Sequence, residues 1–193
     1  ALWDLQAKVT GQRVWELVDL PEPAPSVTAT TIGIGTVDEM EAQARELSTA
    51  PLIKVKLNRD DVVPRMEAVR AAASGAQLIV DPNEGWTIDE LNGFLPELQR
   101  LGVEMIEQPV PADADASLTD YESPIPICAD EACHTVTDLP DLVGKYQMIN
   151  IKLDKTGGLT EALFLARAAE KIGMQIMVGC MVATSLAMAP AVL

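Results

Sequence analysis

The 193-residue sequence has a single histidine, His134, and three cysteines, Cys128, Cys133 and Cys180. Three thiols match neither an even disulfide framework nor the Cys-x-x-Cys spacing of a zinc site, and one imidazole does not complete such a site. A disulfide scaffold and a zinc module are therefore excluded. Cys128 and Cys133 read as reduced structural thiols, and His134, beside Cys133 in a predicted loop, reads as incidental. Basic residues are also scarce: 14 Lys and Arg stand against 29 Asp and Glu, a formal charge of −15 with a pI near 4.3. Such a surface repels phosphate backbones and anionic membranes, which argues against both as partners. No apolar run reaches the ~18 residues needed to span a bilayer, and the N-terminus lacks a basic segment followed by a hydrophobic stretch and cleavage site. A soluble, cytoplasmic protein is expected. The chain opens on Ala1 and stops at Leu193 inside an apolar helical pattern, so a fragment is expected.

What is present is a repeat. With 48% hydrophobic residues, the chain can bury a sizeable core. Short β-rich runs alternate with helical spacing, each pair taking about 25 residues. Strands are predicted at 27–35, 52–57, 77–82, 103–108, 125–130, 148–152 and 175–178. Helices are predicted at 37–47, 61–73, 87–101, 137–143, 159–172 and 184–193, the last with Pro190 as a kink. Strand and helix alternating in this way give parallel strands with crossover helices. An open doubly wound sheet shares that unit, but seven near-equal units favour a closed, TIM-type (β/α) barrel with the eighth strand beyond the end. Residues 1–25 read as a helix turning at Gly11 and a connector through Pro21, Pro23 and Pro25; residues 26–193 read as an incomplete barrel.

In a parallel barrel the functional side chains come from the C-terminal strand ends, once per unit. The polar residues at those positions are Lys56, Asp81, Glu107, Asp130 and Lys152, at intervals of 25, 26, 23 and 22. One unit further in either direction lies near Thr31 and Cys180. Three carboxylates converging on one mouth repel unless a cation lies between them, and all-oxygen ligands select a hard ion, Mg²⁺ or Mn²⁺. The lysines lie on strands flanking the carboxylates, which suits proton transfer on two faces of a carbon beside a carboxylate. Lys54 and Lys56 share one side of their strand by the period of two; facing inward they need anions, and facing outward they would interrupt helix packing. Lys155, three residues past a strand end, reads as a loop lysine. Asn83 reads as a hydrogen-bonding support for Asp81, while Glu84 and Glu131 read equally as supports or as solvated residues. Trp86 reads as packing, Gly157-Gly158 as a tight turn, and Met174, Met177 and Met188 as core filling.

These residues give a further reading. Lys54-Val55-Lys56, Asp81-Pro82-Asn83-Glu84-Gly85-Trp86, Ile106-Glu107-Gln108-Pro109, Ala129-Asp130-Glu131 and Asn150 to Gly158, in this order and spacing, resemble the enolase superfamily. Within it they resemble the muconate-lactonizing subgroup and most of all the dipeptide epimerases. The resemblance implies that Asp81, Glu107 and Asp130 bind Mg²⁺ and that Lys56 and Lys152 are the acid/base pair. It also implies that Lys54 holds the substrate carboxylate, and that Thr31, Cys180 and Met181 line the substrate pocket. A dipeptide or another small carboxylate is the implied substrate, and a homo-oligomer is compatible with the resemblance. The family's N-terminal capping domain is absent from this sequence, and its Asp-x-Asp element would fall near position ~205 if the ~25-residue spacing holds. Two other readings stay open: a muconate cycloisomerase or o-succinylbenzoate synthase-like enzyme with the same site, and a noncatalytic barrel fragment or binding protein.

Overall fold

A computed structural model describes residues 1–193. The strands are β1 (Thr30–Ile32), β2 (Leu52–Lys56), β3 (Gln77–Asp81), β4 (Val103–Glu107), β5 (Ile127–Ala129), β6 (Met148–Lys152) and β7 (Gln175–Gly179). They form one sheet in sequence order, and every neighbouring pair is parallel. The helices are α1 (Leu2–Thr10), α2 (Val14–Leu17), α3 (Val37–Glu46), α4 (Val62–Ala72), α5 (Ile88–Arg100), α6 (Leu139–Leu142), α7 (Leu153–Thr156), α8 (Leu159–Lys171) and α9 (Ser185–Met188). None is long and apolar enough to cross a membrane.

Alternation along the strands builds two apolar layers. Ile53, Val55, Leu78, Val80, Ile106, Ile127, Ile149 and Ile151 join the large core between the sheet and its helices. Residues one position away join a second cluster, in which Ala29, Leu52, Met148 and Met177 pack on Ile79, Met105 and Cys128. A flat sheet could not bring residues from both its ends onto one small cluster, so the seven strands curl into the wall of a TIM-type barrel, with this cluster as its floor.

A bulge sets the phase of β4. Leu78 pairs with Val103 but Ile79 pairs with Met105, so Glu104 is the extra residue. Without it Met105 and Glu107 would face the helices, because a slip of one residue moves a strand's side chains to the other face. The helix starts follow Thr-x-x-Glu signals: Thr36 and Thr87 accept from the amides of Glu39 and Glu90, whose carboxylates return the bond. Those backbone hydrogen bonds hold both carboxyls below the usual range.

Several boundaries differ from expectation. The first predicted strand shrinks to Thr30–Ile32, which has a sheet partner on one side only. The helix predicted at 137–143 divides into a 3-10 turn, Val136–Asp138, and α6, and the last predicted helix divides at α9 into a 3-10 turn, Ala189–Val192. Pro140 and Pro190 each stand at the start of the second piece. A 3-10 segment at Ala112–Leu118 has no helical period and was not expected. Gly11, at φ 72°, ends α1 in the left-handed conformation. Both α1 and the segment after it dock on α8: the Trp3 indole donates to Thr160 Oγ1 (2.9 Å), and Arg167 donates to the Val18 carbonyl (2.8 Å).

Candidate active site

Lys56, Asp81, Glu107 and Lys152 are the last residues of β2, β3, β4 and β6, and Asp130 follows β5 directly. The parallel registers Lys56↔Asp81 and Thr31↔Lys54 put all the polar side chains on one inward face at one end of the barrel. Asp81 and Glu107 are fully buried and Asp130 nearly so. Buried carboxylates require compensation, and four of the chain's seven lysines supply it.

Lys54 Nζ lies 2.7 Å from Asp81 Oδ2 and 2.5 Å from Glu107 Oε2. Lys56 Nζ reaches Asp81 Oδ2 at 2.5 Å and donates to Asn83 Oδ1 at 2.6 Å. Across the mouth Lys152 Nζ donates to Asp130 Oδ2 at 2.5 Å. Lys155 donates to Asp130 Oδ1, the Asp130 carbonyl and the Asn150 carbonyl at 2.7, 2.6 and 2.9 Å. Lys155 is therefore not the loop residue expected: β6 runs directly into the one-turn helix α7, which folds a side chain three positions on back over the strand end.

The electrostatics follow from burial and charge. Burial raises the Glu107 carboxyl above the usual range and the charge of Asp81 adds to it, with Lys54 opposing. Burial works to lower Lys54, but the charges of Glu107 and Asp81 outweigh it and the ammonium is raised. Burial likewise works against the charged form of Asp130, yet its hydrogen bonds from Lys152 and Lys155 hold it below the usual carboxylate range. Glu131 is raised by burial and by the charge of Asp130. It accepts a hydrogen bond from Asn83 Nδ2 at 3.3 Å, while Glu84 accepts from the Ala112 amide at 2.8 Å. Both are thus engaged with the protein.

Two neutral side chains that sequence reasoning missed complete the arrangement. Asn150, two residues before Lys152 and on the same face, donates from Nδ2 to Glu107 Oε1 at 2.9 Å. Gln108 accepts from the amides of Asp130 (2.9 Å) and Ala132 (3.1 Å) and donates to the Val110 carbonyl and the Tyr146 hydroxyl. Applying the period of two to β6, as to Lys54 and Lys56, was the signal for Asn150; Gln108 had only its place in the Ile106-Glu107-Gln108-Pro109 match. Asn83, Glu84 and Gln108 take left-handed φ values of 46°, 64° and 35°, at a cost of ~1–2 kcal/mol per residue, and such strain concentrates at functional loops. Thr31, in the middle of β1, and Cys180 and Met181, just after β7, are exposed, and the Met181 amide donates to Asp154 Oδ2 at 3.3 Å.

The donor set fits a hard cation. All candidate ligands are carboxylate oxygens, and the buried Glu107 Oε2 has no aligned hydrogen-bond donor, although the Lys54 ammonium lies against it. The three carboxylates are not gathered around a common point in this arrangement; Lys54 bridges Asp81 and Glu107, Lys56 also holds Asp81, and Lys152 and Lys155 hold Asp130.

The chain is similar over 99% of its length to an N-acetyl-D-glutamate racemase from a Pseudoalteromonas species, at 49% identity, and to the L-Ala-D/L-Glu epimerase of Escherichia coli K12, at 48%; it covers 60% of each. Its fold is similar to a dipeptide epimerase from Cytophaga hutchinsonii solved with Mg and the dipeptide D-Ala-L-Val. The TM-score is 0.93 at 28% identity, over 99% of this chain and 54% of that one. The chain thus spans about 60% of the length of the curated relatives it matches. Residues 38–192 match the family described as enolase C-terminal domain-like, and the chain belongs to that family.

Proposed function

We propose that the protein is a Mg²⁺-dependent epimerase that removes and returns the α-proton of a glutamate whose nitrogen is acylated, with an L-Ala-D/L-Glu-type dipeptide as substrate. The observation that carries this reading is the pair Lys56 and Lys152, which stand on β2 and β6 with the buried carboxylates of β3, β4 and β5 between them.

Asp81, Glu107 and Asp130 would hold the ion, with Mn²⁺ able to serve in its place. When bound, it offsets the negative charge that develops on the substrate carboxylate as the α-proton leaves. The chain's own residues supply the rest. One lysine, as the free amine, takes the proton from one face of the carbon, and the other, as the ammonium, gives a proton to the opposite face. Lys54 is raised by two carboxylates and remains a cation, which suits it to binding a carboxylate and not to accepting a proton. Asn83 accepts from Lys56 and is itself held by Glu131, and Thr31, Cys180 and Met181 line the pocket. A cytoplasmic location, in keeping with three free thiols, and assembly into a homo-oligomer complete the reading.

The racemase relative favours a second reading, N-acetylglutamate, which carries an acetyl group where the dipeptide carries alanyl. Proton NMR of L-Ala-L-Glu and of N-acetyl-D-glutamate in D₂O, with the full-length protein and Mg²⁺, tests both. Loss of the α-proton signal with appearance of the other stereoisomer, abolished by EDTA, is expected with the dipeptide. Exchange confined to N-acetylglutamate would move the assignment to the second reading, and exchange of neither would sink both.

A further inference from the structure

We propose that Asn150 is the positioning residue that fixes Glu107 for metal binding, and that Gly179 is a glycine in order to leave the Asn150 amide room. The inference rests on the reading of Glu107 as a metal ligand. Asn150 is fully buried. Its Nδ2 donates to Glu107 Oε1 at 2.9 Å, and its own Oδ1 has no partner. Reversing the amide would set its oxygen against the carboxylate, acceptor against acceptor, so Glu107 dictates which way Asn150 points. With Oε1 held in this way, the oxygen of Glu107 left for a cation is Oε2, which has no aligned donor and against which the Lys54 ammonium lies at 2.5 Å.

Gly179 closes the arrangement from β7, where it pairs with Lys152. A Cβ there would lie 2.7 Å from Asn150 Oδ1, 2.9 Å from Nδ2 and 3.2 Å from Cγ, well inside van der Waals contact. Its backbone does not need glycine, since Gly179 is not among the residues of positive φ. The amide of Asn150 is therefore what requires it. A methyl group at 179 would push that amide away, and any displacement breaks the hydrogen bond to Glu107. β4, β6 and β7 are thereby coupled through one side chain and the absence of another.

Titration calorimetry of Mg²⁺ into full-length wild type, N150A, G179A and N150A/G179A tests this, with thermal melts to establish folding and with N150S replacing N150A if the latter does not fold. N150A and G179A should each weaken metal binding by the roughly 10- to 100-fold typical of supports behind a ligand. In the N150A background there is no amide to displace, so G179A should cost less than about 2-fold more. Wild-type metal affinity in N150A, or an equal loss from G179A in both backgrounds, overturns the inference. A wild type that takes up no metal fails the reading of Glu107 itself, and this inference with it.

Discussion

At the scale of the residue, the four lysines of the mouth are separated by what they hold. The ammonium of Lys155 has three N–H bonds and three protein acceptors, all within 2.9 Å. Lys152 has a single partner, Asp130 Oδ2. A group that carries protons must be free to let go, which Lys152 can do and Lys155 cannot. K56A and K152A are expected to lower epimerisation by ~10²- to 10⁴-fold; K152A removes one contact to a buried carboxylate and should lower the melting temperature less than the loss of all three Lys155 contacts does. K155M is expected to lower the melting temperature clearly, because each acceptor left without a donor costs ~1–3 kcal/mol. A K155M variant melting with the wild type would contradict the anchoring role.

Lys54 adds a pH dependence. Its folded value is raised above an unfolded one near ~10.4, so it stabilises the fold fully below that pH and loses the effect as pH rises through the folded value. In EDTA, the gap in melting temperature between wild type and K54M should hold steady from about pH 7 to 10 and narrow above about 10.4; a gap that widens there would refute the assignment. Lys56, Asp81, Glu107, Asp130 and Lys152 were legible because each falls once per repeat at a strand end, and Lys54 because it shares a strand face with Lys56. Asn150 carries no charge, and Lys155 returns only through a single helical turn that no periodicity announces.

At the scale of the element, the site depends on loops that are tied to one another. Trp86 is buried, its indole donates to the Asn58 carbonyl at 3.1 Å, and its ring meets Phe94 at 5.0 Å with a 59° tilt. It thereby joins the segment after β2, next to Lys56, to the start of α5. W86A should cost ~3–5 kcal/mol, the range for deleting a large buried aromatic, read as a lower denaturation midpoint. A loss under ~1 kcal/mol would show that the site does not depend on this joint. Packing by Trp86 follows from its place at a helix start. The bulge at Glu104 is different: the sequence shows it only as an interval of 26 where its neighbour is 25, and a single added residue is indistinguishable from loop variation until the strands are paired. The order of strands was readable throughout, since the repeat repeats; the ends of β1, α6 and α9 were not, because contacts rather than local pattern decide where they stop.

At the scale of the whole molecule, the three cysteines report on three different environments. Cys128 lies in the barrel floor, Cys133 in the core outside the sheet, and Cys180 on the exposed end of β7. The thiolate is the reactive form, and burial raises the Cys128 thiol well above its ordinary value and Cys133 to about 11. Both are therefore shielded twice, by packing and by protonation, and can react only when the floor or the outer core opens. At about pH 8, near the ordinary thiol value, a thiol reagent should label one cysteine quickly and all three only in denaturant. Slow labelling of the remaining two would then measure how often the barrel opens, and equal rates for them would mean that floor and outer core open together as one cooperative unit. Two fast thiols in the native protein would mean that one of these layers does not close as described, and since the floor carries Met105 and Cys128 directly beneath Glu107 and Asp130, the site above it would lose its support as well.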